Sequence, residues 1–188
     1  MAALAIGATA FTGTIATVPA TLAATPPGTI VDIAVGNPDF SSLVGAVSSQ
    51  GLVETLQGDG PFTVFAPVNS AFSSLPGFVQ RAFADKPELL KQTLLYHVVA
   101  GDLSSGDVFA EKRIRTVEGS FVRPTMRDGK PYINGAMVAL ADVDASNGTI
   151  HVIDRVLLPK HVVREALHME FQRLRTEARD FLRGMSDM

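Results

Sequence analysis

The sequence predicts an α+β domain, and three observations carry that expectation. Helix-start signals and helical spacing of apolar residues concentrate in the first half of the chain. From Ile114 onward the pattern changes to short runs divided by Glu118-Gly119, Asp128-Gly129, Asn134-Gly135 and Asn147-Gly148. Two apolar, β-branched stretches, one at Phe62 to Phe65 and one following Gly148, have the composition of buried strands. Helices gathered in one half and hairpins in the other give the segregated architecture of that class. No internal repeat is evident, so a single unit is expected.

Taken in order, the domain begins after Pro26-Pro27-Gly28. Asn37-Pro38 is a cap followed by proline at the first helical position. Phe40, Leu43, Val44 and Val47 follow at helical spacing, and Gly51 closes that element. Gly58-Asp59-Gly60-Pro61 turns the chain into the strand Phe62 to Phe65. Pro67 lacks the N–H a sheet ladder needs, so the strand should end there. Asn69 is a good helix N-cap, with Phe72 pointing back from the first turn toward the core. Pro87 opens a further helix whose apolar stripe includes Leu90, Leu94 and Val98. His97 lies three residues after Leu94 and falls on that stripe, as a hydrogen-bonded core histidine linking helix to sheet. Asn147-Gly148 suits a tight turn with positive φ before the second apolar strand.

Composition bounds the function. The chain has 188 residues, 46% of them hydrophobic, enough for one core of ordinary size. A net charge of -3 offers no basic face for nucleic acid. Cysteine is absent, which removes thiolate chemistry and disulfides without fixing a compartment. Gly58-Asp59-Gly60 does not extend to a dinucleotide fingerprint, because Thr63 stands where the third glycine belongs. There is no G-x-S-x-G elbow, H-E-x-x-H helix or P-loop lysine pattern, so no cofactor or catalytic set is expected. His161, Glu165 and His168 share a helix face and would supply three metal donors, but a solvated face explains them more simply. Asn147-Gly148-Thr149 fits a glycosylation sequon inside a tight turn, where chance occurrence is the plainer explanation.

Both ends of the chain carry their own signals. Residues 1–28 contain no charged side chain, and Ala20-Thr21-Leu22-Ala23-Ala24 offers small residues of the kind that precede a signal-peptidase cut. An apolar targeting or anchoring segment is expected there, with a plain apolar tail as the alternative. A spanning helix is disfavoured by Gly7, Gly13, four threonines and Pro19. At the other end, residues 160–188 form an expected amphipathic helix. Leu167, Phe171, Leu174, Ala178, Phe181 and Met185 are spaced 4, 3, 4, 3, 4, a heptad-like seam. The remaining faces mix arginines with glutamates, so a membrane surface suits the helix less than a protein does. The seam folds back on its own domain or docks on a partner through Leu167, Phe171, Leu174 and Phe181. On the docking reading, deleting everything after Lys160 leaves the domain folded.

Three stretches together resemble a known family. Phe62-Thr63-Val64-Phe65-Ala66-Pro67-Val68-Asn69-Ser70-Ala71-Phe72 and the stretch from Asn147 to Pro159 resemble the two signature blocks of fasciclin-like domains. Leu94-Leu95-Tyr96-His97-Val98-Val99 resembles the central Tyr-His pair. The resemblance covers roughly residues 29–159. It implies helices packed on a hairpin-rich β-sheet wedge and a non-enzymatic, adhesion-type protein-interaction module acting outside the cytoplasm, periplasmic, secreted or in a thylakoid lumen. In some members the Tyr-His neighbourhood contacts adhesion receptors, so Tyr96 and His97 join the candidate partner-binding residues. The alternative is an accessory subunit of a membrane-bound complex, held by the N-terminal segment and the C-terminal helix. No small-molecule substrate or nucleic-acid partner is implied.

Overall fold

A computed structural model describes residues 28–58 and 60–186. The expected targeting segment (apart from Gly28) and Asp59 of the first turn lie outside the described residues. Helix α1 (Ile30–Gly36) starts at Thr29, whose hydroxyl accepts the Asp32 N–H while the Asp32 carboxylate accepts the Thr29 N–H. Asn37 then caps a short 3₁₀ turn, Pro38–Phe40, with proline inside its first turn as expected. Helices α2 (Ser41–Ser49) and α3 (Val53–Gln57) follow, hinged at Gly51 in the left-handed region.

Strand β1 (Phe62–Pro67) ends at its proline. It leads through Val68 into α4 (Asn69–Ser73), α5 (Gly77–Asp85) and α6 (Pro87–Tyr96). Strand β2 (Val98–Ala100) and helix α7 (Ser105–Ala110) precede the hairpin-rich half. That half contains β3 (Ile114–Arg115), β4 (Phe121–Val122), β5 (Pro124–Arg127), β6 (Lys130–Ile133), β7 (Ala136–Ala145) and β8 (Gly148–Ile153). Helix α8 (Lys160–Ser186) closes the chain.

The sheet order is β2-β1-β8-β7-β6-β5, with β3 and β4 forming a separate pair. The two signature blocks therefore become central neighbours. β1 and β8 run parallel, with Phe62 opposite Gly148 and Phe65 opposite His151. Their near-continuous apolar character follows from burial on both faces. Val64, Ala66, Ile150 and Val152 face a core closed by α1, α2, α3 and α6. Phe65 and Ile153 point the other way, into a second core with Tyr96, Val99, Val108, Val122 and Ile133. A third cluster joins α5, α6 and α8 through Val79, Ala82, Leu89, Val162 and Ala166.

Gly148 holds the central pair together. Its φ is +148°, and a Cβ there would overlap the Phe62 carbonyl oxygen on β1. Asn147, beside it, accepts the Ile30 N–H at 2.9 Å and donates its amide to the carbonyls of Leu56 and Gly58. The sequon nitrogen is thus committed to fastening the end of α3 to the sheet, while the side-chain oxygen fastens the start of α1.

Three local expectations need correction. Asn69 does not cap its own helix: Val68 holds the N-cap position of α4. The Asn69 oxygen instead accepts the Ser42 N–H at 2.9 Å, and its amide donates to the Pro38 carbonyl at 2.8 Å. The free N–H groups of α2 attract it, because Phe40 at that helix's N-cap has no side-chain acceptor. Val98 is not on the α6 stripe but opens β2, where pairing with Val64 claims it. Between β7 and β8 the turn residues are Ser146 and Asn147, and Gly148 already belongs to the strand.

Candidate functional site

Tyr96 and His97 sit where α6 hands over to β2, and both are buried. His97 occupies the C-cap of α6, with a ring only 2% exposed. Its Nδ1 lies 2.7 Å from the Thr93 carbonyl, which can only accept, so Nδ1 carries the proton. Nε2 then accepts the Leu157 N–H at 2.9 Å. One neutral imidazole ties the end of α6 to the segment leaving β8. Burial pushes its pKa down from 6.5 to about 4. Tyr96 donates its hydroxyl to the Phe121 carbonyl at 2.9 Å and accepts from the Asn134 amide at 2.8 Å. Tyr96 thus joins α6 to the hairpin-rich half of the chain, and both side chains are buried, with Tyr96 reaching the wall of a neighbouring cleft.

This arrangement makes a pH prediction with a definite sign. As pH falls below 6.5 the unfolded chain takes up the proton first, because the folded ring resists it down to about 4. His97 therefore contributes fully above pH 6.5, loses that contribution progressively toward pH 4, and contributes no further slope below. The shift corresponds to roughly 3 kcal/mol across that window. Urea unfolding at a series of pH values should show a shallower acid-side fall for His97→Gln than for the native chain. Some slope should remain, because burial also pushes His151 down.

His151 is the buried polar residue that sequence reasoning missed. It stacks on Phe65 with ring centroids 5.7 Å apart. Its Nε2–H donates to the Leu103 carbonyl at 3.1 Å, and Nδ1 accepts the Asp142 N–H at 3.2 Å. Its only sequence signal is a polar residue at an inward position of an otherwise apolar strand. His161, Glu165 and His168 turn to separate partners. His161 contacts Gln92 at 3.0 Å, Glu165 accepts from Lys86 at 2.6 Å and His168 approaches Gln172 at 3.4 Å. Among the described residues, no group of His, Asp and Glu is placed to hold a metal ion.

Helix α8 has two apolar faces with different fates. Val162 and Ala166 are fully buried against α5 and α6, with Met169 packed beside them. Arg81 on α5 pairs with Glu170, and Lys86 pairs with Glu165, across this contact. Leu167, Phe171, Leu174, Phe181 and Met185 remain 54–69% exposed. At about 100° per residue, the exposed seam lies roughly 130° around the helix from the docked face. The domain therefore anchors the first turns of α8 and leaves the seam pointing away. Removing the whole helix would therefore take buried residues from the domain as well as the seam, because Val162 and Ala166 complete the third core. The expected seam residues are brought onto one surface, while Tyr96 and His97 lie inside the domain.

A cleft beside Tyr96 is lined by Ser120, Phe121, Arg123, Asn134, Lys160, His161 and Arg164. A small apolar cavity of about 60 Å³ lies within the first core, between α1, α2, α3 and the sheet, with His97 in its wall. The cavity is lined mostly by apolar side chains, whereas the cleft is lined by polar and basic ones. No helix among the described residues is long and apolar enough to cross a membrane.

Comparisons with known proteins agree with this geometry. The fasciclin domain family model matches residues 38–159. Protein sll1483 of Synechocystis is 47% identical over 133 residues, covering 70% of this chain and 73% of that protein. The cell surface glycolipoprotein MPB83 of Mycobacterium bovis is 33% identical over 135 residues, covering 69% of this chain and 60% of that one. Among solved structures, a FAS1 domain pair from the insect cell adhesion molecule fasciclin I aligns with a TM-score of 0.56 and 21% identity. It covers 73% of this chain, which spans 53% of that pair.

Proposed function

The chain belongs to the fasciclin domain family, and from that premise we propose that it is a non-enzymatic protein-interaction module of adhesion type, working outside the cytoplasm. The observation that carries this reading is the seam of α8: five large apolar side chains, more than half exposed, on the side of the helix turned from its own domain. Exposed apolar area that is continuous along one face marks an interaction surface. The family's association with protein contact and the cell-surface relative support the location and class. The buried Tyr-His pair serves the fold, so contact falls to α8.

A second reading makes the chain an accessory subunit of a membrane-bound assembly. It is favoured by the uncharged stretch 1–28 together with the seam, since both are additions to the family's core. Native purification of the tagged full chain from detergent-solubilised membranes and from the soluble fraction tests both readings. The native chain should retain a defined protein partner, and Phe171→Asp/Leu174→Asp should lose it with an unchanged melting temperature. Retention of the partner by that variant would refute the seam as the contact surface. Partner recovery from the membrane fraction alone would favour the subunit reading.

A further inference from the structure

We infer that the partner of the α8 seam is a second copy of this chain, the two helices pairing in parallel as a short coiled coil. The inference rests on the reading of the chain as an interaction module and names its partner. Leu167, Leu174 and Phe181 fall on one core position of a heptad, and Phe171, Ala178 and Met185 on the other. The flanking positions then hold Glu170, Glu177 and Gly184 on one side of the seam and His168, Arg175 and Leu182 on the other.

Charge decides the orientation. In a parallel pair, a residue on the first flank faces the residue five positions later on the opposite flank of the partner helix. Glu170 therefore meets Arg175 of the second copy, and the two-fold axis repeats the contact. Glu170 already accepts from Arg81 of its own domain, and a carboxylate has room for a second guanidinium. An antiparallel pair in register sets Glu177 against Glu177 and Arg175 against Arg175, which is repulsive at both places. The roughly 130° between docked face and seam carries the two domains outward on opposite sides of a parallel pair. The nucleation that makes short helices costly is already met in each chain, because α5 and α6 hold the first turns of α8. A lipid surface fits the helix less well, since Glu165, Glu170, Glu177 and Asp180 nearly balance its arginines.

The absence of native cysteine makes a direct test practical. The full chain should show a concentration-dependent dimer by sedimentation equilibrium, with Leu174→Asp raising the dissociation constant by about a hundredfold or more. Met185→Cys should cross-link to its own copy under mild oxidation, whereas Arg179→Cys, on the outer face, should not. A chain that stays monomeric at all accessible concentrations overturns the proposal, as does a monomer that binds anionic vesicles through the seam. A dimer that cross-links only when Leu167→Cys is combined with Met185→Cys also overturns it, because that pattern means antiparallel pairing. If the chain is monomeric yet the native purification yields a different protein that Phe171→Asp/Leu174→Asp loses, self-pairing falls while the interaction-module reading stands. If neither a second copy nor another protein depends on the seam, both fall.

Discussion

Phe65→Ala lowers the free energy of unfolding by about 3–5 kcal/mol, the range for emptying a fully enclosed aromatic site. Phe65 is 0% exposed and sits on the central strand pair, where the surrounding structure has least freedom to collapse. Its ring stacks on His151, so the substitution also removes the contact that holds that imidazole in place. The His151 bonds to Leu103 and Asp142 reach the loop before α7 and the irregular stretch of β7, so loosening the ring loosens the sheet's second face. The measurement is a urea midpoint at neutral pH with an unchanged slope, the signature of lost stability without a changed unfolded state. Phe171→Ala is the control. It removes the same ring from an exposed position of the isolated chain and should change stability by no more than about 0.5 kcal/mol.

Deleting residues 161–188 destabilises the domain by on the order of 4 kcal/mol, whereas deleting residues 173–188 leaves it essentially unchanged. The larger effect comes from Val162 and Ala166, both fully buried, and from the matching surface of Val79, Ala82 and Leu89 that their loss exposes. A buried valine alone accounts for about 1.5–3 kcal/mol. The exposed ion pairs Lys86–Glu165 and Arg81–Glu170 add little beyond orientation. Against a typical total of roughly 5–15 kcal/mol, a loss of that size lowers the melting temperature by many degrees. Thermal unfolding of the two truncated chains beside the full chain measures the difference.

Much of the fold was legible because several signals were local. Pro67 ended β1, Asn37-Pro38 opened a helical turn, and the glycine turns divided the hairpins. The parallel pairing of β1 with β8 was announced only by two similar apolar stretches and not by any local rule. What stayed hidden depends on distance between segments. Asn69 looks like a cap for its own helix, and only the fold reveals that the open N–H groups beside it belong to α2. Val98 fits a helical stripe until strand pairing claims it. Helix α1, seven residues long, leaves little periodic signal, because the apolar run behind its Thr29 cap is too short.

The candidate site is legible only in part. The long 4-3-4-3-4 seam dominates the sequence of α8, while the face that actually docks is two turns of Val162, Ala166 and Met169. A short buried face leaves a weak periodic signal even when it supplies more stability. His97 was placed inside correctly, but its bond to Leu157, sixty residues away, has no trace in the spacing.

The measurement closest to the central claim is amide hydrogen exchange along α8, comparing the natively purified assembly with the dilute chain. Residues 171–185 should gain protection in the assembly, while the Tyr96–His97 region and the three cores exchange alike in both states. Equal exchange along α8 in the two states, with new protection confined to residues 29–159, would contradict it.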